Sequence, residues 1–497
     1  MYYYYILVIK MESKKYKTIL TKDGYLLNKD KFTNRELETI KNDLTVQPLL
    51  SYSIGIATKV EKFEVYKEND DYLSIPKFYG INKLGPPEFN DEIIGKKISF
   101  KFKGELRPLQ QEIVTKVHNH IKKNDGGGIC VGCGGGKTVM GMYLSCLYKR
   151  KTLIIVHKTF LLNQWKERFE EFTDASVGII QQNRVEIEGK DVVIGMLQSI
   201  AKEKYDLDIF REFGMVIFDE AHHAPSKFFS KALPLISCKK TIFLTATPKR
   251  SDALEKVLYW YFGDIIYKAP PQKNQDVQVN IYKYDIKHEK FKESYIRFTK
   301  EVNKAGTITR ISKISKRNKF IIDIIKDILD EEGRKILILS DRIEHLTKLK
   351  EKLDKKEINS DFYIGGMKQA KLDEASKATV ILASYGMASE ALDIPALNTL
   401  MMVTPRRNIE QSVGRILRKK DNIIQPLIVD IVDQLPSFNN QGLARRKFYN
   451  KLKYNIKLFD VEENEIIGEE DITDNINKGC ISSQPLVEDD ANIDFID

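Results

Sequence analysis

The sequence predicts an α/β protein made of two tandem units, each a mainly parallel sheet with helices on both faces. A small α+β unit precedes them and an acidic tail follows. Three observations carry this prediction. Apolar runs of four or five residues recur without the alternation of a one-sided strand, the mark of strands covered on both faces. Amphipathic segments lie between the runs, as a three-layer arrangement requires. The strand–helix alternation also occurs twice, on either side of Pro270-Pro271-Gln272-Lys273-Asn274-Gln275, a break rich in turn formers.

Residues 1–100 form the first unit, with β-type runs at 16–20 and 93–102 and a helical stretch at 34–42. No constellation of reactive side chains occurs in it. Residues 101–275 hold the runs 128–131, 153–156, 192–196, 215–218 and 241–244, with helices expected at 139–148 and 160–172. Residues 276–440 repeat the pattern with runs at 335–339, 379–383, 400–403 and 426–432. There the stretch 283–319 is dense in Lys and Arg and is expected to be helical. Residues 441–497 are expected to form a basic helix at 444–457 and then the acidic tail.

The 497 residues carry a net charge of +10, unevenly spread. Residues 460–497 hold thirteen acidic side chains against one lysine, so the body of the chain is more basic than the net figure. A basic body suits a polyanionic partner, nucleic acid above all. Five cysteines, an odd count without secreted spacing, fit a reducing, intracellular compartment. Cys130 and Cys133 make a C-x-x-C, but no second pair follows at zinc-ligand spacing. The apolar start, residues 1–9, is too short to span a bilayer and lacks a basic leader region. No membrane association is expected.

Four motifs carry the chemistry. Gly132-Cys133-Gly134-Gly135-Gly136-Lys137-Thr138 follows a strand and opens a helix. Converging backbone N–H groups cradle phosphates, and only glycine lets the chain curl that tightly. Lys137 adds charge for the terminal phosphates and Thr138 a hydroxyl for Mg²⁺. Asp219-Glu220-Ala221-His222 ends a buried strand, where the binding crevice of such sheets lies. Asp219 suits Mg²⁺, and Glu220 suits activation of a water. His222 is assigned to coupling rather than to zinc, and His223 to the surface. Gln411, Arg415 and Arg418 share one helical face, from which the two arginines can reach the γ-phosphate held by the other unit. Thr245-Ala246-Thr247 ends another strand.

In this order, the motifs resemble those of superfamily 2 helicases of the DEAH-box type, across about residues 104–435. More narrowly the chain is similar to XPB-like DNA helicases and to helicases of large DNA viruses, including the poxvirus transcript-release type. The resemblance implies two RecA-like domains, ATP with Mg²⁺, and a nucleic-acid substrate. It places Gln110, within Arg107-Pro108-Leu109-Gln110, in the adenine-reading position, with Gly134, Gly135 and Gly136 on the phosphates and Gln411 at the nucleotide. Asp393 falls near the ribose. His157-Lys158-Thr159, Gln198, Ser199 and Ser384 take nucleic-acid-contacting positions. Thr245 and Thr247 link hydrolysis to strand movement. The chain departs from the pattern at Val131, where the strict loop has Gly, at Gly132, where XPB-like chains have Pro, and at Arg250-Ser251-Asp252, where they have Arg-Glu-Asp.

The implied function is an ATP-dependent helicase or translocase acting on DNA or RNA, with DNA favoured by lineage, alone or with transcription machinery; the motifs do not encode which nucleic acid it is. Its place would be the cytoplasm, nucleus, viral factory or virion. Two other readings share the same residues: a double-strand translocase that releases transcription complexes without unwinding, and a nucleotide-gated scaffold with little turnover. Polarity and oligomeric state are not encoded in these motifs.

Overall fold

The computed structural model describes residues 15–49, 61–132, 134–202, 204–246, 248, 250, 252–270, 276–390, 392, 394–416 and 424–473. Cys133, Thr247, Asp393 and Arg418 lie outside them, as do the residues up to 14, the 271–275 break and the tail beyond 473. The side chains of Glu390, Gln411 and Arg415 are likewise outside the description.

The N-terminal unit is a five-stranded sheet in the order Lys67–Glu68, Tyr72–Ile75, Gly24–Asn28, Thr18–Thr21, Phe89–Asn90. Its helix Asn34–Asp43 starts at a capping box, with Thr33 Oγ1 accepting from Glu36 N–H (3.3 Å) and Glu36 Oε2 from Thr33 N–H (2.7 Å). This unit is not a free appendage. Leu20, Leu27 and Leu73 share one core with Val216, Phe218 and Phe262 of the next unit. Lys22, almost fully buried, donates from Nζ to the Leu235 carbonyl (2.8 Å). Residues 93–102 do not form the expected strand. They strap onto the neighbouring unit through Lys96 N–H to Glu212 O and Ile98 N–H to Lys149 O, with isolated bridges at Lys97 and Phe102. Gly95, at φ +76°, crosses so close to Gly214 that a Cβ there would sit 2.1 Å from the Gly214 nitrogen.

The first RecA-like lobe contains β1 (Gly126–Cys130), β2 (Thr152–Val156), β3 (Val177–Gln181), β4 (Arg184–Val185), β5 (Val192–Met196), β6 (Met215–Asp219), β7 (Lys240–Thr245) and β8 (Ile265–Lys268). They order as β4-β3-β5-β2-β6-β7-β1-β8, all parallel except the edge strand β4. Helices α1 (Pro108–Asn124), α2 (Lys137–Tyr148) and α3 (Thr159–Phe172) pack against one face. Every residue of β1, β2, β5 and β6 is buried, which is why these runs read as unbroken apolar stretches. The glycines of β1 make room for neighbours: a Cβ on Gly128 would sit 1.9 Å from the Phe243 ring.

The second lobe contains β9 (Gln278–Asp285), β10 (Ile336–Ser340), β11 (Ser360–Tyr363), β12 (Val380–Ser384), β13 (Thr399–Met402), β14 (Leu427–Asp433), β15 (Asn455–Glu462) and β16 (Glu465–Asp471). Their order is β11-β12-β10-β13-β14-β9-β15-β16, again parallel except for the last strand. Helices α4 (Ser315–Leu329), α5 (Ile343–Asp354), α6 (Glu410–Ile416) and α7 (Pro436–Lys451) join them.

Two expectations fail here for physical reasons. The stretch 283–319 is not one helix. It finishes β9, where Val279 and Ile281 alternate into the core, and turns helical only at Lys304–Ile311 and in α4. The helix expected over 444–457 begins at Pro436 and stops at Lys451, and Lys453 turns left-handed (φ +57°) to lead into β15. The acidic tail begins as structure: β15 and β16 form a hairpin whose two turn residues, Glu463 and Asn464, both have positive φ, as tight hairpin turns require.

Inside this lobe His345 is fully buried between Ser340 Oγ (3.1 Å from Nδ1) and Asn318 Oδ1 (3.0 Å from Nε2). The Asn318 oxygen can only accept, so the ring carries its proton on Nε2 and accepts at Nδ1. Burial first, then the Arg317 charge, pushes its pKa well below the ordinary value. A depressed folded-state pKa means that the unfolded chain takes up the proton first as pH falls. Stability is therefore complete above about pH 6.5 and drains below it by up to about 1.4 kcal/mol per unit. Thermal melts of the wild type between pH 7.5 and 5.5 will show this acid loss, and His345→Gln will flatten it.

Candidate active site at the strand ends

Parallel strands deliver their carboxyl ends to one edge, and the first lobe gathers its polar residues there. The loop after β1 turns through Gly134 (φ +75°) and Gly136 (φ +78°) into α2. No side chain caps α2, so its first N–H groups point to the edge, where the helix dipole favours an anion. A Cβ on Gly136 would lie 2.0 Å from Gln110 Nε2, so the buried Gln110 amide packs directly on the loop. Gln110 Oε1 is already taken by the Arg107 N–H (2.9 Å).

Lys137 leans across this loop. Its Nζ donates to the Val131 carbonyl (3.1 Å) and stands 3.7 Å from Glu220 Oε1. Asp219, the last residue of β6, is buried. Its Oδ2 accepts from Trp165 Nε1 (2.8 Å) and its Oδ1 from the Glu220 N–H (3.0 Å). Burial, and then the neighbouring Glu220 charge, push the Asp219 pKa up to about 6, against the pull of Lys137. Glu220 itself is left-handed at φ +47°, a conformation that costs a non-glycine residue energy and recurs at functional sites. Its Oε2 is buried without a hydrogen bond, 3.4 Å from His222 Nδ1.

His222 joins this cluster to the next strand end. Its Nδ1 is 3.2 Å from the fully buried Thr245 Oγ1 at the close of β7. The His222 carbonyl accepts from Arg250, whose guanidinium also grips Asp252 through Nε (2.8 Å) and Nη2 (2.5 Å). Leu49 of the N-terminal unit donates to the Asp252 carbonyl (3.0 Å). His223 is not the plain surface residue expected. Its ring stacks between His157 (3.9 Å) and His222 (4.2 Å). Gln198 donates to the His157 carbonyl, and Ser199 Oγ accepts from the Gln182 N–H (2.9 Å). Lys137, Asp219, Glu220, His222, Thr245 and Gln110 thus come together, and His157, Gln198 and Ser199 line the adjoining strand ends.

The second lobe presents Ser384 at the end of β12, with its Oγ accepting from the Met387 N–H (3.4 Å). Arg415 sits on α6, which follows β13 through the loop 403–409. A buried polar network holds that loop. Arg445 of α7 donates Nε to Asp430 Oδ2 (2.8 Å) and Nη1 to the Arg406 carbonyl. Tyr449 O–H also donates to Asp430 (3.0 Å), and Arg317 grips Asp433 through two bonds of 2.6 and 2.9 Å. Sequence reasoning missed Trp165, Arg445 and the contact of Arg250 with the His222 carbonyl, since these partners lie far away in the chain.

Two family models match: one described as Type III restriction enzyme, res subunit, over residues 103–250, and one described as Helicase conserved C-terminal domain, over 316–420. A protein of Acanthamoeba polyphaga mimivirus, described as an ATP-dependent RNA helicase, is 38% identical over 458 residues, spanning 90% of this chain and 88% of the relative. The chain belongs to the superfamily 2 helicases. An African swine fever virus protein with the same description is 24% identical over 380 residues, covering 70% of this helicase and 73% of the relative. Among solved structures, an ATP-dependent Type ISP restriction-modification enzyme bound to DNA shares the fold, at TM-score 0.52 and 17% identity over 73% of this chain and 32% of that one. The helicase is an ATP-hydrolysing enzyme that acts on nucleic acid. No helix among its described residues is long and apolar enough to cross a membrane.

The donor set at the strand ends fits a divalent cation. A buried carboxylate, a second carboxylate beside it and the Thr138 hydroxyl are all oxygen donors, the kind Mg²⁺ takes. Trp165 is the side chain that fixes Asp219. Trp165→Phe keeps an aromatic ring but removes the donor to a charged acceptor, a bond worth about 1.5–3 kcal/mol. ATPase activity of this variant is expected to fall by roughly tenfold or more with the fold intact by circular dichroism. An unchanged rate would show that Asp219 does not need this bond.

Proposed function

We propose that the helicase draws its stroke from one nucleotide site shared by both lobes, and that it moves along DNA. Lys137, Thr138 and the N–H groups of Gly134, Gly135 and Gly136 would hold the phosphates of ATP, with Gln110 at the adenine and Asp393 near the ribose. Asp219 and Thr138 would hold Mg²⁺, which neutralises phosphate charge when bound. Glu220 would take the proton of the attacking water. Gln411, Arg415 and Arg418 would come to the phosphates from the second lobe, so that hydrolysis requires closure. The observation that supports this reading most is the Lys137–Glu220 pair, 3.7 Å apart at the strand ends, with Arg415 carried by α6 of the other lobe.

His222 and Thr245, with Thr247, would pass the state of the site to the strand-contacting residues His157, Lys158, Gln198 and Ser199 in one lobe and Ser384 in the other. Free thiols at Cys130, Cys146 and Cys238 suit work in a reducing compartment, in viral transcription or DNA metabolism. RNA is the second reading, favoured by the description of the mimivirus and African swine fever virus relatives as RNA helicases.

Lys137→Ala and Glu220→Gln are each expected to abolish turnover. Arg415→Ala should lower kcat by about 10³-fold or more while leaving nucleotide binding, followed with a fluorescent ATP analogue, near the wild type. Full turnover in Arg415→Ala would disprove the shared site. ATPase rates measured with single-stranded DNA, duplex DNA and single-stranded RNA will identify the track. Stimulation by single-stranded DNA together with strand displacement is expected. Stimulation by duplex DNA alone would favour translocation without unwinding, and stimulation by none would remove the motor.

A further inference from the structure

Phe298 is 93% exposed, more than any other large hydrophobic side chain among the described residues, and Tyr295 beside it is 58% exposed. They sit in the segment 286–303, which leaves the carboxyl end of β9. This segment is a built finger. Asn303 N–H donates to Ser294 O (2.7 Å), Ile296 N–H to Glu301 O (2.8 Å) and Lys300 N–H to Ile296 O (2.9 Å). Tyr295 and Val302 form an isolated bridge. The tip, residues 297–299, is a turn. At the base Phe291 is buried edge-on against Tyr284, 6.0 Å between ring centres.

The finger is fastened to the polar edge of the second lobe from two sides. Glu293 Oε1 accepts from the Ser437 N–H (2.8 Å), just after β14. Arg342, just after β10, donates to the Ala305 carbonyl and to Thr309 Oγ1, both at 2.9 Å, in the helix that follows the finger. The Phe298 ring is therefore displayed on a fixed frame, at the same sheet edge that carries Ser384 and leads into α6.

The surroundings select the partner. Lys290, Lys292, Arg297 and Lys300 are exposed along the same finger. Of the finger's carboxylates, Glu293 is engaged by Ser437 and by the Tyr295 O–H, Glu301 is half-buried beside Lys300, and Glu289 is exposed. A protein-docking hot spot is ringed by further apolar contact area. Here the exposed Phe298 and the half-exposed Tyr295 stand on a finger rich in cations, the pairing that takes a base on a ring and phosphates on the lysines. We propose that the finger is a base-stacking platform for single-stranded nucleic acid, with Phe298 against a base and Arg297 and Lys300 against the adjoining phosphates. It rests on the reading of the chain as a nucleic-acid motor and adds a contact that the helicase motifs do not contain.

The test uses the full chain and a short oligothymidylate. Phe298→Trp should show tryptophan quenching on oligonucleotide addition beyond that of the wild type. Phe298→Ala should weaken oligonucleotide binding roughly tenfold or more, whereas Phe298→Tyr should keep it, and thermal melts check that each variant is folded. Wild-type affinity in Phe298→Ala, with no added quenching in Phe298→Trp, would overturn the platform and leave the motor standing. Absence of oligonucleotide binding by the wild type would overturn the platform as well, while the motor stands or falls separately on the ATPase comparison with duplex DNA and RNA.

Discussion

Asp219 is the point on which the molecule turns. A carboxylate at the end of a fully buried strand is expensive to keep charged, and its pKa near 6 records that cost. The fold tolerates it because Trp165 and the Glu220 N–H satisfy both oxygens, and because Lys137 lies within reach of the pair. All of this follows from parallel strands whose last residues share one edge. Glu220 bends left-handed there, His222 links it to Thr245, and the glycine loop closes over Gln110. These contacts join the ends of β6 and β7 and the loop after β1, so the site depends on those strands being in register.

The second lobe solves a related problem in the opposite manner. It buries complete ion pairs, Arg317 with Asp433 and Arg445 with Asp430. Such pairs add little net stability compared with apolar packing, but breaking one partner leaves a stranded charge. Their geometry is specific. The Arg445 guanidinium reaches the backbone of Arg406, in the loop that launches α6. The helix bearing Arg415 is therefore set by a buried polar clamp and not by loop packing alone.

The fully covered strands were legible almost to the residue. The run 192–196 is β5, and 215–218 is β6 less its final Asp219. Covered strands read clearly because both faces demand apolar side chains. Half-covered ones did not. β9 and β15 alternate and β16 is exposed along its length, and their outward Lys and Glu residues read as a basic helix and an acidic tail. The strap at 93–102 looked like a strand because of its apolar residues, yet it pairs only through isolated bridges at Lys97 and Phe102. At the site, Lys137, Asp219 and Glu220 were visible through local spacing. Trp165 was not, because its role depends on α3 lying across β6, a contact 54 residues apart. His223 was misjudged for the same reason: its neighbour His157 belongs to another strand end.

The hairpin of β15 and β16 closes one flank of the second sheet. An outermost strand ordinarily offers free amide and carbonyl groups as a template for another chain. Here that rim is β16, where Glu465, Glu469, Glu470 and Asp471 crowd seven exposed or half-exposed residues. Two copies approaching rim to rim would set like charges side by side. The exposed Ile466 and Ile467 therefore sit on a rim whose acidic side chains oppose edge-to-edge pairing.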